Sequence, residues 1–257
     1  AKEMIDLRLG DCLEVMKSIS DNSIDAIITD PPYGTTACKW DSVIDFDLMW
    51  EQLNRIIKPN GAIVLFGSEP FSSALRMSNI KNFKYDWIWE KSRPTGHLNA
   101  KKQPMRKTEL ISLFYNNQPT YNAQGLIKGV FNNTRPSKAN KTLGKGVHGK
   151  ERSDFGKSKY TNYPINILKF NNEHNVGKLK HPTQKPIALM EYLIKTYTNE
   201  NETVLDFTMG SGSTGVAAKN LNRNFIGIEM DDNYFKIATE RINKEEKQLK
   251  ILWHYTL

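Results

Sequence analysis

The sequence predicts an α/β protein: a mostly parallel sheet with helices on both faces, interrupted by one insert. Three observations predict it. Short apolar runs alternate with helix-periodic segments over residues 5–115. The same alternation resumes at Pro186. Between the two, Asn116–Lys180 loses all periodicity and is rich in Asn, Gly and Lys.

Ile5–Leu9 alternates as a strand, and Asp11–Ile19 follows as a short amphipathic helix with Asp11 near its start. Asp25–Asp30 (DAIITD) reads as a buried strand. Asp47–Ile57 reads as a helix that Pro59 and Gly61 stop. Ala62–Phe66 is the next strand, Pro70–Ile80 the next helix, and Tyr85–Trp89 and Leu110–Tyr115 two further strands. Pro119, Pro136 and Pro164 then break any regular element, so 116–180 reads as an inserted small domain or an ordered loop region. Beyond it come a helix over Ile187–Tyr197, a strand over Thr203–Phe207 and a helix over Gly215–Leu221. A strand over Phe225–Glu229 and a long helix over Asp232–Lys247 complete the pattern. The expected organisation is two halves of one domain, 1–115 and 181–257, around an insert at 116–180.

Composition agrees with a globular enzyme-sized chain. The 257 residues suffice for one large domain or one domain with an insert, and 39% hydrophobic residues are too many for a disordered chain. No apolar run approaches the ~20 residues of a membrane helix, so no membrane partner is expected. The start, Ala1-Lys2-Glu3-Met4, leads straight into a strand pattern, and no signal peptide is expected. The two cysteines, Cys12 and Cys38, make no disulfide framework and suit a reducing cytoplasm. Neither they nor the five histidines show metal-ligand spacing. The net charge is +8, which favours a polyanionic partner, although many basic proteins bind none. Residues 115–180 carry ten Lys, two Arg and three acids, a net of +9, leaving the remainder near −1. That concentration reads either as a footprint for phosphates or as a solvated insert.

Ligands of open α/β sheets bind at the carboxyl ends of strands, and two such ends are unusual here. In Thr203–Gly215 (TVLDFTMGSGSTG), a strand leads to Asp206 and a glycine-rich loop that opens a helix. The next strand ends in Glu229, an acid able to accept from ribose hydroxyls. Alone, this signals a nucleotide-like cofactor, with NAD as strong a candidate as any other, or a ligand-free connection. The second end is Asp30-Pro31-Pro32-Tyr33, directly after DAIITD. A carboxylate at a strand end, prolines that hold the chain extended and an aromatic ring give acceptors for an NH2 group and a face for a planar base. A plain turn is the bland reading of Asp-Pro-Pro.

On these residues the chain resembles the amino-methyltransferases of DNA. Asp30-Pro31-Pro32-Tyr33 resembles their catalytic tetrapeptide, and Asp206-Phe207 with Gly210-Ser211-Gly212 resembles their cofactor loop. His181-Pro182-Thr183-Gln184-Lys185-Pro186 resembles the segment that precedes that loop; it is equally a helix lead-in with Pro186 at the first position. The order, catalytic motif before variable region before cofactor motifs, is that of the family's beta group. The resemblance covers nearly all of the chain outside 116–180. It implies a Rossmann-like class I methyltransferase fold, with a mostly parallel seven-stranded sheet and circular permutation. Residues 1–115 would be the catalytic half, 181–257 the cofactor half and 116–180 the target-recognition region. It implies S-adenosylmethionine as cofactor and double-stranded DNA as partner. Homodimerisation and a partner restriction endonuclease are family implications that these residues do not themselves show. A bacterial or phage-infected cell suits such a small stand-alone enzyme.

The same resemblance implies site residues. Asp30, Pro31, Pro32 and Tyr33 would be catalytic. Asp11, Cys12, Asp30, Phe66, Gly67, Thr183, Gln184, Lys185, Asp206, Phe207, Gly210, Gly212 and Glu229 would surround the cofactor; Cys12 reads equally as a small buried hydrophobe. Asp30 and the Pro31 carbonyl would accept the two N–H groups of a flipped-out base, with Tyr33 stacked on it. Trp40 would pack nearby or belong to the core. The basic loop Lys91–Lys107 would hold the DNA backbone or be merely solvated. Asp at the first catalytic position leans toward adenine N6, with cytosine N4 the alternative. An NAD-dependent oxidoreductase would use the glycine loop and Glu229 but leaves the tetrapeptide unexplained. A binding module without activity leaves both intact motifs unexplained.

Overall fold

A computed structural model describes residues 4–34, 42–132, 157–172 and 184–254, with the side chains of 130–132, 157–158 and 245–254 not described. The chain forms two compact units: Ala1–Asn122 with Asn166–Leu257, and Ala123–Ile165. Residues 116–122 and 166–172 belong with the first unit, so the second is shorter than the insert marked out by composition.

The elements of the first unit are β1 (Ile5–Leu9), α1 (Cys12–Met16), β2 (Ile24–Thr29), α2 (Phe46–Ile56), β3 (Ile57–Gly67), α3 (Phe71–Ser78), β4 (Phe83–Thr95) and β5 (Arg106–Phe114). The second unit holds β6 (Ile127–Asn132) and β7 (Lys157–Thr161), a two-stranded antiparallel ribbon. The first unit resumes with β8 (Ile167–Phe170), α4 (Ile187–Tyr197), β9 (Thr203–Asp206), α5 (Ser213–Asn220), β10 (Asn224–Glu229) and α6 (Asp232–His254). The sheet order is β1-β10-β9-β2-β3-β5-β4-β8, with β5 alone antiparallel to its neighbours. It has eight strands where the resemblance implies seven. The added edge strand, β8, comes from the expected insert; it buries Leu168 and accepts a hydrogen bond at Phe170 O from Trp89 Nε1 (3.0 Å).

Helices cover both faces, and the period of two along each strand decides which face a residue serves. Ala26, Ile28, Ala62, Val64 and Phe66 bury against α4, α5 and α6. Ile27, Ile63 and Leu65 bury against α1, α2 and α3. With both faces covered, β2 and β3 need continuous apolar runs, and they have them. α4 has the bounds expected, starting after Pro186. α1 stops three residues short of the expected Ile19. Its next three N–H groups bond three residues back (Ile19 N to Met16 O, 2.9 Å), and Ser18 Oγ takes the Val15 carbonyl (2.7 Å). β4 and β5 run past the expected Trp89 and Leu110, turning most of the expected loop Lys91–Lys107 into the limbs of a hairpin. No helix among the described residues is long and apolar enough to cross a membrane.

Candidate active site

The parallel strands β1, β10, β9 and β2 lie side by side and end at one edge. The chain leaves β9 toward β10 and leaves β2 toward β3, so connections diverge between these two central strands. Such a divergence opens a crevice at the carboxyl ends. A cavity of about 420 Å³ lies there, lined by residues from all four strand ends and by α4 and α6 residues.

Asp30, Pro31, Pro32 and Tyr33 form one wall, straight after β2. Thr208 Oγ1 donates to the Asp30 carbonyl (3.1 Å), pinning the tetrapeptide to the loop after β9. The Asp30 carboxylate has two donors: the Tyr33 hydroxyl on Oδ1 and Lys185 Nζ on Oδ2 (2.6 Å). Lys185 also contacts Glu109 Oε2 (3.0 Å), and Lys91 Nζ contacts Glu109 Oε1 (2.5 Å). The row Asp30–Lys185–Glu109–Lys91 therefore carries two positive and two negative charges, and Lys185 is only 8% exposed. Burial works against charge on Lys185, yet the two carboxylates hold its pKa above the usual lysine range. Burial opposes ionisation of Glu109 too, but its two ammonium neighbours keep it below the usual range. Asp30 goes the other way: burial pushes it up, Glu109 adds to this, and Lys185 and Tyr33 pull it back. Of the two carboxyls in the row, Asp30 is the one pushed above its ordinary range.

The opposite wall is built by β10, β9 and the glycine-rich loop. Glu229 accepts from Gly210 N at Oε2 (2.8 Å) and from Asp231 N at Oε1 (2.9 Å), and burial pushes its carboxyl up. Gly210 stands at φ +52°, a backbone region that glycine adopts without strain. Arg241 of α6 donates to Ser211 O (2.6 Å) and Oγ (2.9 Å), and Ser211 Oγ donates to Gln184 (3.2 Å), tying loop to lead-in. Asp206 is buried, and its oxygens accept from Thr29 (3.0 Å), Thr214 (2.5 Å) and Thr208 N (3.2 Å). Burial raises its carboxyl to about 7 despite those donors. Asp206 thus ties β2, β9 and α5 together beneath the cavity. Asp11 caps α1 through Leu13 N (2.8 Å). Burial and the Asp11 charge push the Cys12 thiol up to about 12, so it stays protonated and inert at neutral pH.

Most of the sequence-expected residues meet at this cavity: the tetrapeptide, Asp11, Cys12, Gln184, Lys185, Asp206, Phe207, Gly210 and Glu229. Three do not line it. Phe66 lies under the Lys185 ammonium (5.1 Å from the ring centre). Gly67 packs on α3, where a Cβ would come within 2.5 Å of Ser72 Oγ. Gly212, at φ +80°, packs on α6, where a Cβ would come within 2.9 Å of Ala238. Thr183, His181, Trp40 and Cys38 lie outside the described residues. Sequence reasoning missed Glu109. Its one signal is an acid just before the mostly apolar run Leu110–Phe114.

The lining tests which ligand fits. Six carboxylates line the cavity: Asp11, Asp30, Asp45, Glu109, Asp206 and Glu229. Among the described residues its sole cation is Lys185, which already faces two carboxylates. The Gly210 N–H, which a diphosphate would need, is given to Glu229. Such a cavity suits a cationic nucleoside better than the diphosphate of NAD.

The family model described as DNA methylase matches residues 24–240. Type II methyltransferase M.HpaI of Haemophilus parainfluenzae is 30% identical, over 92% of this chain and 73% of that one. Type II methyltransferase M2.LlaDCHI of Lactococcus lactis subsp. cremoris is 30% identical, over 95% of this chain and 91% of that one. Among solved structures, the complex of M1.HpyAVI with SAM is 30% identical at a TM-score of 0.64, over 93% of this chain and 100% of that one. The cytosine-N4-specific PvuII DNA methyltransferase, 18% identical at a TM-score of 0.68, covers 93% of this chain and 86% of its own; it speaks to fold alone.

Proposed function

This chain belongs to the family of N6/N4 DNA methylases, and from that premise we propose that it methylates adenine N6 on a base flipped out of double-stranded DNA. The methyl donor of this DNA methyltransferase is S-adenosylmethionine. Bound, the donor supplies an electrophilic methyl on a sulfonium. The observation that carries the reading is that, among the described residues, Asp30 and Glu229 line one cavity together with four further acidic residues and a single lysine, a lining that favours a sulfonium and an ammonium group.

The target nitrogen is a weak nucleophile because its lone pair is delocalised into the ring. Asp30 and the Pro31 carbonyl accept its two N–H groups, and acceptors there bind more tightly as positive charge grows on nitrogen. Lys185, held by Glu109, fixes the Asp30 carboxylate in place. Tyr33 stacks on the base, its ring backed by Phe71 (5.0 Å between centres). Asp30, with its raised pKa, takes the departing proton. Glu229 accepts from the donor's ribose, its position set by Gly210 N and Asp231 N. Gln184 and Phe207 border the same ligand.

Residues 116–180 read the target sequence. Supporting this are the net charge of +9 over 115–180 and the β6–β7 ribbon, an element of a size that enters a major groove. A homodimer, a cognate restriction endonuclease and a cytoplasmic place in a bacterial or phage-infected cell complete the reading; sedimentation at micromolar concentration tests the dimer.

The decisive experiment incubates the protein with methyl-labelled S-adenosylmethionine and mixed-sequence duplex DNA, then identifies the methylated nucleoside by mass spectrometry. N6-methyladenine supports the proposal. N4-methylcytosine keeps the mechanism and overturns the choice of base.

A further inference from the structure

The β4–β5 hairpin overhangs the edge at which Asp30 sits. β4 runs parallel to β8 and, through β5, parallel to β3. β3 ends at Gly67, opposite Leu110, and β8 pairs no further than Lys91. Among the described residues no strand pairs with the hairpin beyond Lys91 and Glu109, where only Asn172 bonds to it, at Ser92. Lys91 and Glu109 belong to the charged row that reaches Asp30. The arm therefore starts at the catalytic corner and projects outward from it.

Its outer surface is basic. Arg93, Lys101, Lys102, Arg106 and Lys107 are exposed, and there is no Asp or Glu from Lys91 to Thr108. Among the described residues only Lys107 of the five has an acidic partner, Glu90 at the arm's base (2.8 Å). Its tip is held by a double turn: Asn99 N to Gly96 O (3.1 Å), Ala100 N to His97 O (3.1 Å) and Lys102 N to Asn99 O (2.9 Å). Gly96 enters the turn at φ +92°. That ordered tip presents Leu98 wholly to water, at 101% exposure, while Met105 is half-exposed behind it. A basic arm ending in an ordered, unburied aliphatic side chain matches duplex DNA, whose phosphates take the cations and whose base stack takes an apolar wedge.

We propose that this arm lies along the duplex and inserts Leu98 into the base stack beside the target, filling the space the flipped base leaves. The proposal rests on the DNA methyltransferase reading. Extruding a base opens a gap in the stack, and an apolar group occupying it keeps the base from returning. Leu98 touches neither donor nor reacting atoms, so its effect falls on the flipped population rather than on transfer itself.

The test uses the full-length protein and an oligonucleotide duplex carrying its methylated site, with 2-aminopurine in place of the target adenine to report unstacking. Leu98→Ala should cut the fluorescence rise several-fold and lower kcat/KM on the normal duplex about tenfold. A mismatch opposite the target, which loosens the base beforehand, should restore the variant, and Leu98→Met should behave as wild type. Leu98 is fully exposed, so loss of fold does not confound the result. Unchanged fluorescence and kinetics in Leu98→Ala overturn the wedge, as does a defect that the mismatch fails to repair. Failure of the wild-type protein to methylate any DNA overturns the reading beneath it, and is seen before any variant is made.

Discussion

Asp30 already satisfies a hydroxyl and an ammonium group, so an arriving amine meets a carboxylate held in one orientation. Asp30→Asn keeps the shape and removes the charge. Transfer should slow by roughly 10²–10³-fold, while calorimetry should find donor affinity within a few-fold of wild type; a fully active Asn variant would sink the proposed role. Glu109→Gln separates positioning from chemistry. Glu109 raises the Asp30 pKa, so its loss should move the acidic limb of the kcat–pH profile to lower pH, with KM for DNA unchanged. An unmoved limb would make Glu109 merely structural. The tetrapeptide and Glu229 were legible in the sequence because each sits where an apolar run stops, and a polar residue there has no core to fill. Glu109 was not legible. One acid at the start of a buried strand is also what an exposed strand end looks like, and only the folded register, with Glu109 opposite Trp89, brings it to Lys185.

At the scale of elements, the loop from β9 into α5 carries two predictions. Gly210→Val should abolish measurable donor binding by calorimetry, because a β-branched residue resists φ +52° and the Gly210 N–H that seats Glu229 would shift. Donor affinity equal to wild type would refute the loop assignment. Asp206 predicts a pH dependence. Its folded pKa of about 7 lies above the ordinary 3.8, so the folded state holds a proton that the unfolded chain releases between those values. The stability it contributes is full below about pH 4 and lost as pH rises through 7. Denaturant midpoints at pH 5 and pH 8 should differ less in Asp206→Asn than in wild type, and an equal difference would refute the buried titration. Helices and central strands were legible because their apolar spacing is local. The β6–β7 ribbon and β8 were not. Polar strands take their stability from partners distant in sequence, as β8 does from β4, and they leave no period behind.

The whole molecule concentrates its positive charge on the insert and the arm, while the cavity is acidic. DNA affinity should therefore fall steeply with salt, whereas donor affinity should not. Replacing Lys101 and Lys102 by Ala should flatten the log–log salt slope for DNA by up to about 2 if both sit on phosphates; an unchanged slope would free them from the interface. The strand order has a further consequence, in time rather than space. β2, which delivers Asp30, hydrogen-bonds to β9, and β1 to β10. At roughly 5–20 residues per second, a ribosome delivers β9 on the order of 10–35 s after β2. Through that interval the nascent chain carries the strand that delivers Asp30 with one edge open, and the pocket cannot exist until β9 and β10 are made. Activity must therefore wait until the chain has passed Glu229, and an aggregation-prone edge waits for its partner until β9 is made.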